Sequence, residues 1–121
     1  LSVECFMIAV IFEVLPHSNR KQDYLDAASG LSQHLEGTDG FISIERFESL
    51  THPGKILSLS FWRDEEAVKQ WRTFEPHRSV QKAGRQDIFA DYRLRVASVI
   101  RDYGMNDRRE APEDSLDAHP S

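Results

Sequence analysis

The stretch FISIERFESLTHPGKILSLSFWR, residues 41–63, decides the fold of this chain. It holds two runs, 41–50 and 55–63, in which apolar and polar residues alternate along much of their length. Such alternation is typical of β-strands that bury one face. The THPG segment between the runs contains a proline and a glycine, which suit a tight connection. The stretch therefore predicts a β-hairpin.

The segment before the hairpin predicts one strand and one helix. Residues 6–14, FMIAVIFEV, are rich in β-branched and aromatic residues and are followed by the turn-forming sequence LPHSN. This strand is apolar on both alternating faces, so both faces must be covered. A helix is expected between a capping Ser18 and Gly37, and Gly30 within it is expected to admit a close neighbour. The apolar stripe of this helix consists of Tyr24, Ala28, Leu31 and Leu35.

The segment after the hairpin predicts two helical pieces and a fourth strand. Asp64 is placed to cap a helix whose first turn is acidic, as the helix dipole favours. Pro76 interrupts this helix, and a second helical piece is expected from Pro76 to about Gly84, because proline is well tolerated at a first helical position. Residues 91–103, DYRLRVASVIRDY, alternate again and predict a strand.

The order of these elements predicts an α+β fold of the ferredoxin-like βαββαβ type. Its four-stranded antiparallel sheet would carry the helices on one face only. Because the first strand is apolar on both sides, we expect the sheet of a second copy to cover the other face, which gives a homodimer. The predicted domain comprises residues 1–104. Residues 105–121 form a polar, acidic C-terminal tail without apolar periodicity, which we expect to be mobile.

Composition excludes several classes of function. The chain has 121 residues and a formal net charge of -5, so it lacks the basic field that nucleic acid or an acidic membrane surface would require. The single cysteine, Cys5, excludes an internal disulfide framework and fits a reducing, cytoplasmic location. The apolar run FMIAVIF is too short to span a bilayer and lacks the features of a signal peptide. The five scattered histidines show no spacing typical of a metal site.

Several quoted segments together resemble one known family. The start MIAVIFEV, the hairpin with its continuation RDEEAVKQW, and the ending DYRLRVASVIRDYG resemble the antibiotic biosynthesis monooxygenase family of the dimeric α+β barrel superfamily. The likeness covers about residues 7–104. Its most specific part is Trp62 before RDEEA, Trp71 nine residues later, and then HRS. It implies a homodimer with a ligand cavity between sheet and helices in each protomer.

The resemblance implies candidate chemistry for the segment WRTFEPHRS, residues 71–79. The family includes cofactor-free oxygenases of anthrone-like and quinol-like aromatic compounds, which need a base, an oxyanion partner and a dry pocket. His77 is the candidate base and Trp71 the second candidate catalytic residue. The candidate substrate-binding residues are Trp62 and Phe74 for ring stacking, and Arg78, Gln81 and Tyr92 for hydrogen bonding. The alternative interpretation is core packing for the tryptophans and Phe74, a structural position at a helix end for His77, and cross-strand pairing for Tyr92.

Two function classes remain in contention on this basis, and a third is disfavoured. The first is a cofactor-independent monooxygenase of a small aromatic compound, and the second is a dimeric binding or accessory protein without catalysis. The third is a haem-degrading oxygenase, a branch of the family that uses a first-strand asparagine, a tryptophan on the second helix and an iron-ligating histidine ten residues after it. Here Trp71 matches, but Gln81 holds the histidine position, and Ile11 or Phe12 holds that of the asparagine. We therefore expect neither a haem nor any other cofactor.

Overall fold

The structure, a computed structural model, describes residues 7–119, except for the side chains of Glu75 and Gln86. Cys5 and Phe6, on which two of the expectations rest, lie outside the described residues. The strands are β1 (Ile8–Pro16), β2 (Phe41–Glu48), β3 (Ile56–Trp62) and β4 (Phe89–Ser98). The helices are α1 (Lys21–Leu35), α2 (Glu65–Arg72), α3 (Glu75–Ala83) and α4 (Glu113–Ala118). A π-helical turn, Gly84–Ile88, joins α3 to β4.

The strands form one antiparallel sheet in the order β2-β3-β1-β4. Val10 pairs with Ser60 on one side and with Val96 on the other, which places all three side chains on the same face. The predicted α+β, ferredoxin-like fold with a four-stranded antiparallel sheet is therefore confirmed. Within residues 7–119, no helix is both long and apolar enough to cross a membrane.

The helices α1, α2 and α3 lie on one face of the sheet and bury two apolar clusters against it. One cluster centres on Trp62 and Trp71, and the other on Val14 and Tyr24. The even-numbered apolar residues of β1, from Ile8 to Val14, face these clusters. On β3, Ile56 and Trp62 join them, and Ser58 and Ser60 lie between these two on the same face. Burial of the apolar side chains supplies the hydrophobic driving force that holds helices and sheet together.

The opposite face of the sheet carries Ile11, Leu59 and Phe61, which are partly exposed. A charged cluster borders them, because Glu13 accepts a hydrogen bond of 2.8 Å from Arg95 and lies 3.7 Å from Lys55. Arg95 and then Lys55 hold the pKa of Glu13 below its ordinary value, against the opposing effect of desolvation. The expected homodimer across this face stays a prediction.

Local structure departs from the sequence prediction at three places. Helix α1 begins after Arg20 and has no side-chain cap, so Ser18 does not cap it. A Cβ on Gly30 would meet nothing within 4 Å, so the expected close neighbour is absent among the described residues. Strand β4 ends at Ser98, which pairs with the first residue of β1, Ile8. Beyond it, Val99 donates a hydrogen bond of 2.8 Å to the Met7 carbonyl.

The C-terminal tail contains a short helix, α4, that its lack of apolar periodicity did not predict. The guanidinium of Arg108 organises it by donating to Ser115 Oγ at 2.7 Å and to the His119 carbonyl at 3.1 Å. The same guanidinium lies 5.4 Å from the ring centroid of Tyr103. The mobility of the tail relative to the domain stays a prediction.

Candidate functional site

A cavity of about 270 Å³ lies between the sheet and the helices α1, α2 and α3. Its walls are mainly apolar, with a small number of polar side chains, which is the usual makeup of a small-molecule site. The polar and aromatic side chains among the described lining residues are Phe12, Tyr24, Arg46, Ser58, Ser60, Trp62, Trp71, Arg72, His77, Gln81 and Phe89.

Helix α2 carries Trp71 into the wall of this cavity. The helix begins as predicted at Asp64, whose carboxylate accepts a hydrogen bond of 2.9 Å from the Ala67 backbone. That bond, followed by the neighbouring Arg63, holds the pKa of Asp64 below its ordinary value. Arg63 also binds Asp39 with two hydrogen bonds of 3.0 Å, which ties the start of α2 to the loop before β2. This fixed start directs the apolar stripe of the helix toward the sheet.

The indole rings of Trp62 and Trp71 form one aromatic wall of the cavity. Their ring centroids are 6.3 Å apart, and Trp62 is 2% and Trp71 9% exposed. The Trp62 indole N–H donates to Ser60 Oγ at 2.9 Å, which satisfies a buried donor and fixes the ring. Both rings are therefore held in place and can stack a planar ligand.

His77 lies in the first turn of α3, directly after the predicted Pro76. Its ring centroid lies 5.0 Å from that of Trp71. Its Nδ1 is buried and makes no hydrogen bond within the described part of the chain. Burial lowers the pKa of His77, and the nearby carbonyl of Arg72 offsets part of that effect. The imidazole is thus neutral near pH 7 and can accept a proton.

The structure brings together four of the seven residues predicted for the site. Trp62, Trp71, His77 and Gln81 all line the cavity, so these candidates lie close enough to act on one ligand.

The other three predicted residues lie outside the described cavity lining. Phe74 packs against Trp71 and against His34, at centroid distances of 5.5 Å and 5.3 Å. Arg78 Nε donates to the Arg72 carbonyl at 3.3 Å. Tyr92 packs on Phe12 and Phe89, with the guanidinium of Arg85 at 5.8 Å from its ring centroid.

The polar lining residues Arg46 and Tyr24 were not among the seven predicted site residues, and Tyr24 was predicted only as part of the apolar stripe of α1. Arg46 lies on β2 opposite Ser58 of β3, and Ile44 lies opposite Ser60 in the same phase. The sequence did contain a signal for this position of Arg46, because the alternation in FISIERFE places it on the same strand face as the core residue Ile44. Burial raises the pKa of Tyr24, and the adjacent Arg46 counteracts part of that rise.

Two of the three positions that the haem-degrading branch uses carry other residues here, and only Trp71 matches. Gln81 and Phe12 line the cavity, whereas Ile11 lies on the opposite face of the sheet. Among residues 7–119, no group of three or more His, Cys, Asp or Glu side chains is placed to hold a metal ion.

Solved structures with the same fold include protein SO0527 from Shewanella oneidensis and Rv0793 from Mycobacterium tuberculosis. The first has a TM-score of 0.73 at 11% sequence identity and covers 81% of this chain and 95% of its own. The second has a TM-score of 0.72 at 14% identity and covers 81% of this chain and 99% of its own. At these identities the likeness concerns the fold.

Sequence comparison gives a closer relationship. The jasmonate monooxygenase of Pyricularia oryzae is 45% identical over 101 residues, which are 84% of this chain and 47% of that protein. The chain thus spans about half the length of this relative. The profile of the antibiotic biosynthesis monooxygenase family matches residues 7–83. The chain therefore belongs to the antibiotic biosynthesis monooxygenase family.

Proposed function

We propose that this chain is a monooxygenase that oxidises a small aromatic compound, quinol-like or anthrone-like, in the cavity between sheet and helices. The observation that carries the proposal is His77, a neutral histidine with a buried, unpartnered nitrogen, in the wall of a largely apolar cavity. The relative from Pyricularia oryzae, whose name includes monooxygenase, supports the reaction type.

In the proposed reaction, His77 takes a proton from an acidic C–H group of the bound substrate. The resulting carbanion donates electrons to O₂, and a C–O bond forms to give a peroxide on that carbon. Protonation of the peroxide by the imidazolium and loss of water leave a carbonyl group. One oxygen atom enters the product and the other leaves as water, so the substrate itself supplies the electrons and no bound cofactor is required.

The other cavity residues would support this chemistry by position. Trp62 and Trp71 would stack the ring, and the apolar walls would exclude water, which strengthens every polar interaction inside. Gln81 also lines the cavity, and its side-chain amide would donate a hydrogen bond to a developing oxyanion.

The test is oxygen uptake with a panel of anthrones, naphthoquinols and jasmonate, using the wild type and His77→Gln. We expect the variant to lose about 10²–10⁴ of the rate on a turned-over compound, as is typical when a general base is removed. His34→Gln is the matched control, because His34 is an exposed histidine that contacts Phe74 outside the described cavity lining.

A non-catalytic binding protein is the alternative outcome of the same experiment. If panel compounds quench the fluorescence of Trp62 and Trp71 but no oxygen is consumed, the chain binds such ligands without oxidising them. If oxygen is consumed equally by wild type and His77→Gln, the proposed role of His77 is wrong.

The proposal includes a homodimer through the face of the sheet that carries Ile11, Leu59 and Phe61. Helices α1, α2 and α3 all lie on the other face, so they do not cover these apolar side chains, and the sheet of a second copy would bury them.

The proposal also excludes haem as the substrate. Without a histidine at position 81 or an amide at position 11 or 12, we expect no stoichiometric haem complex with a histidine-ligated Soret band. A tight haem complex that His77→Ala abolishes would place the protein in the haem-degrading branch instead.

A further inference from the structure

The charge of the cavity is opposite to that of the chain. The chain has a formal net charge of -5, but the charged side chains among the described lining residues are two arginines, Arg46 and Arg72. No described aspartate or glutamate lines the cavity. A cavity of this kind attracts an anionic ligand because its apolar walls intensify the field of the arginines.

Arg46 is the arginine that projects from the core face of the sheet. It is half-buried on β2, its Nε is buried without a hydrogen bond, and it forms no salt bridge with a described carboxylate. Arg72, by contrast, is exposed at the end of α2. Buried guanidinium donors are normally paired, so the unpaired Nε–H of Arg46 in a ligand cavity points to a partner that the ligand brings.

Two hydroxyl groups accompany the guanidinium. The hydroxyl oxygen of Tyr24, on α1, accepts a hydrogen bond from the Arg46 guanidinium. Burial raises the pKa of that hydroxyl, so it keeps its own proton, which is available to a ligand. Ser58 faces Arg46 across the β2–β3 pair and is 8% exposed. Donors from three separate elements thus converge on the same part of the cavity.

We propose that Arg46 binds a carboxylate group of the ligand, with the hydroxyls of Tyr24 and Ser58 as additional donors. A carboxylate fits because the planar guanidinium fork matches its two oxygens, and the ligand is then an apolar ring compound that bears one carboxylate. This inference rests on the proposed function only in that both assign the same cavity to the ligand.

The first test compares acids with their methyl esters on the wild-type protein. The acids are jasmonate, 1-naphthoate and 1,4-dihydroxy-2-naphthoate, and each is compared with its methyl ester under anaerobic conditions. Binding is measured by the fluorescence of Trp62 and Trp71. We expect at least one acid to bind about tenfold or more tightly than its ester, because an ionic hydrogen-bonded pair contributes at least that factor. Equal affinities in every pair, or no binding of any compound, would overturn the inference.

The second test uses Arg46→Gln and Arg46→Lys. We expect Arg46→Gln to remove the preference for the acid and to leave the affinity for the ester within about twofold of the wild-type value. Arg46→Lys should keep part of the preference for the acid. Arg101→Gln is the matched control, since it removes the same charge from an exposed position beyond the end of β4 and outside the described cavity lining. An acid preference that survives Arg46→Gln would contradict the assignment, and thermal melting confirms that each variant is folded.

The two proposals fail separately. Acid-selective binding through Arg46 without oxygen uptake would leave the carboxylate site in place and remove the oxygenase. The reverse outcome is that the protein oxidises a neutral quinol with the help of His77 but binds acids no more tightly than their esters. That outcome would support the oxygenase and refute the carboxylate site.

Discussion

The imidazole of His77 lies against the indole of Trp71, with ring centroids 5.0 Å apart and an interplanar angle of 45°. Trp71 also stacks on Phe74 at 5.5 Å and contacts Trp62 at 6.3 Å. The indole is therefore both part of the core and the surface on which the candidate base rests, so stability and chemistry must be separated by experiment.

Replacing Trp71 by Ala is expected to lower the free energy of unfolding by about 3–5 kcal/mol, as for other buried aromatic residues. Trp71→Phe should cost less, because it keeps an aromatic ring in contact with Trp62 and Phe74. Urea denaturation of the two variants and the wild type measures both values. A cost for Trp71→Ala below about 1 kcal/mol would contradict the assignment of Trp71 to the core.

The burial of His77 should make stability depend on pH. Its pKa is lowered from 6.5 in the folded state, so the unfolded chain binds this proton more readily. Above pH 6.5 the neutral imidazole favours the folded state. As the pH falls below 6.5 toward the lower folded-state pKa, the unfolded chain binds the proton first, so we expect the free energy of unfolding to decrease. Between pH 7.5 and pH 5.5, the free energy of unfolding should decrease more for the wild type than for His77→Gln.

His34→Gln provides the comparison for that experiment, because His34 is exposed at the end of α1. This variant should retain the pH dependence of the wild type. The carboxylates with lowered pKa values, Glu13, Asp39, Asp64 and Asp107, start from ordinary values of 4.5 or less and titrate below this window. If the free energy of unfolding changes equally with pH in the wild type and in His77→Gln, His77 titrates as an exposed histidine does.

The proposed dimer is expected to depend on the sheet face that carries Leu59. Leu59→Glu should yield a folded monomer in sedimentation velocity at micromolar concentration, since a charge at the centre of an apolar interface above about 1,000 Å² opposes association. Leu50→Glu is the control, because Leu50 is 100% exposed in the β2–β3 loop, and it should remain dimeric. A wild-type monomer under these conditions would refute the dimer.

Deletion of residues 106–121 is expected to leave the fold and the dimer intact. The described hydrogen bonds and ion pairs of residues 106–119 connect them to one another and to residues 102–104, and none reaches the sheet. Thermal melting and sedimentation of the truncated chain measure the effect. A melting temperature lowered by several degrees would mean that Ala111, which is 8% exposed, is buried against the domain.

The sequence predicts those features that depend on local pattern. Strand alternation and the cap at Asp64 are local, so the hairpin, α2 and the aromatic wall of Trp62 and Trp71 followed from them. Arg46 and Tyr24 come together only when α1 packs on β2, a contact between distant segments that one sequence does not encode as spacing. Ser18 has the right residue type for a cap, but the chain turns there, and the helix begins after Arg20.

Gly84 is the glycine whose small size the cavity requires. A Cβ at this position would lie 2.6 Å from Cζ of the Phe89 ring, too close for any real contact. Phe89 has little room to move, because its ring centroid lies 5.9 Å from that of Phe12 and 6.0 Å from that of Tyr24. Gly84→Ala must therefore displace the Phe89 ring or distort the π-helical turn.

We expect Gly84→Ala to lower the free energy of unfolding by about 1–3 kcal/mol, the usual cost of overpacking, and to weaken ligand binding because Gly84 and Phe89 both line the cavity. Gly30→Ala is the matched control within helix α1, where a Cβ meets nothing within 4 Å. It should raise the free energy of unfolding by up to about 1 kcal/mol, since alanine favours helix over glycine. Urea denaturation of both variants gives the comparison, and equal effects of the two substitutions would show that Phe89 does not restrict position 84.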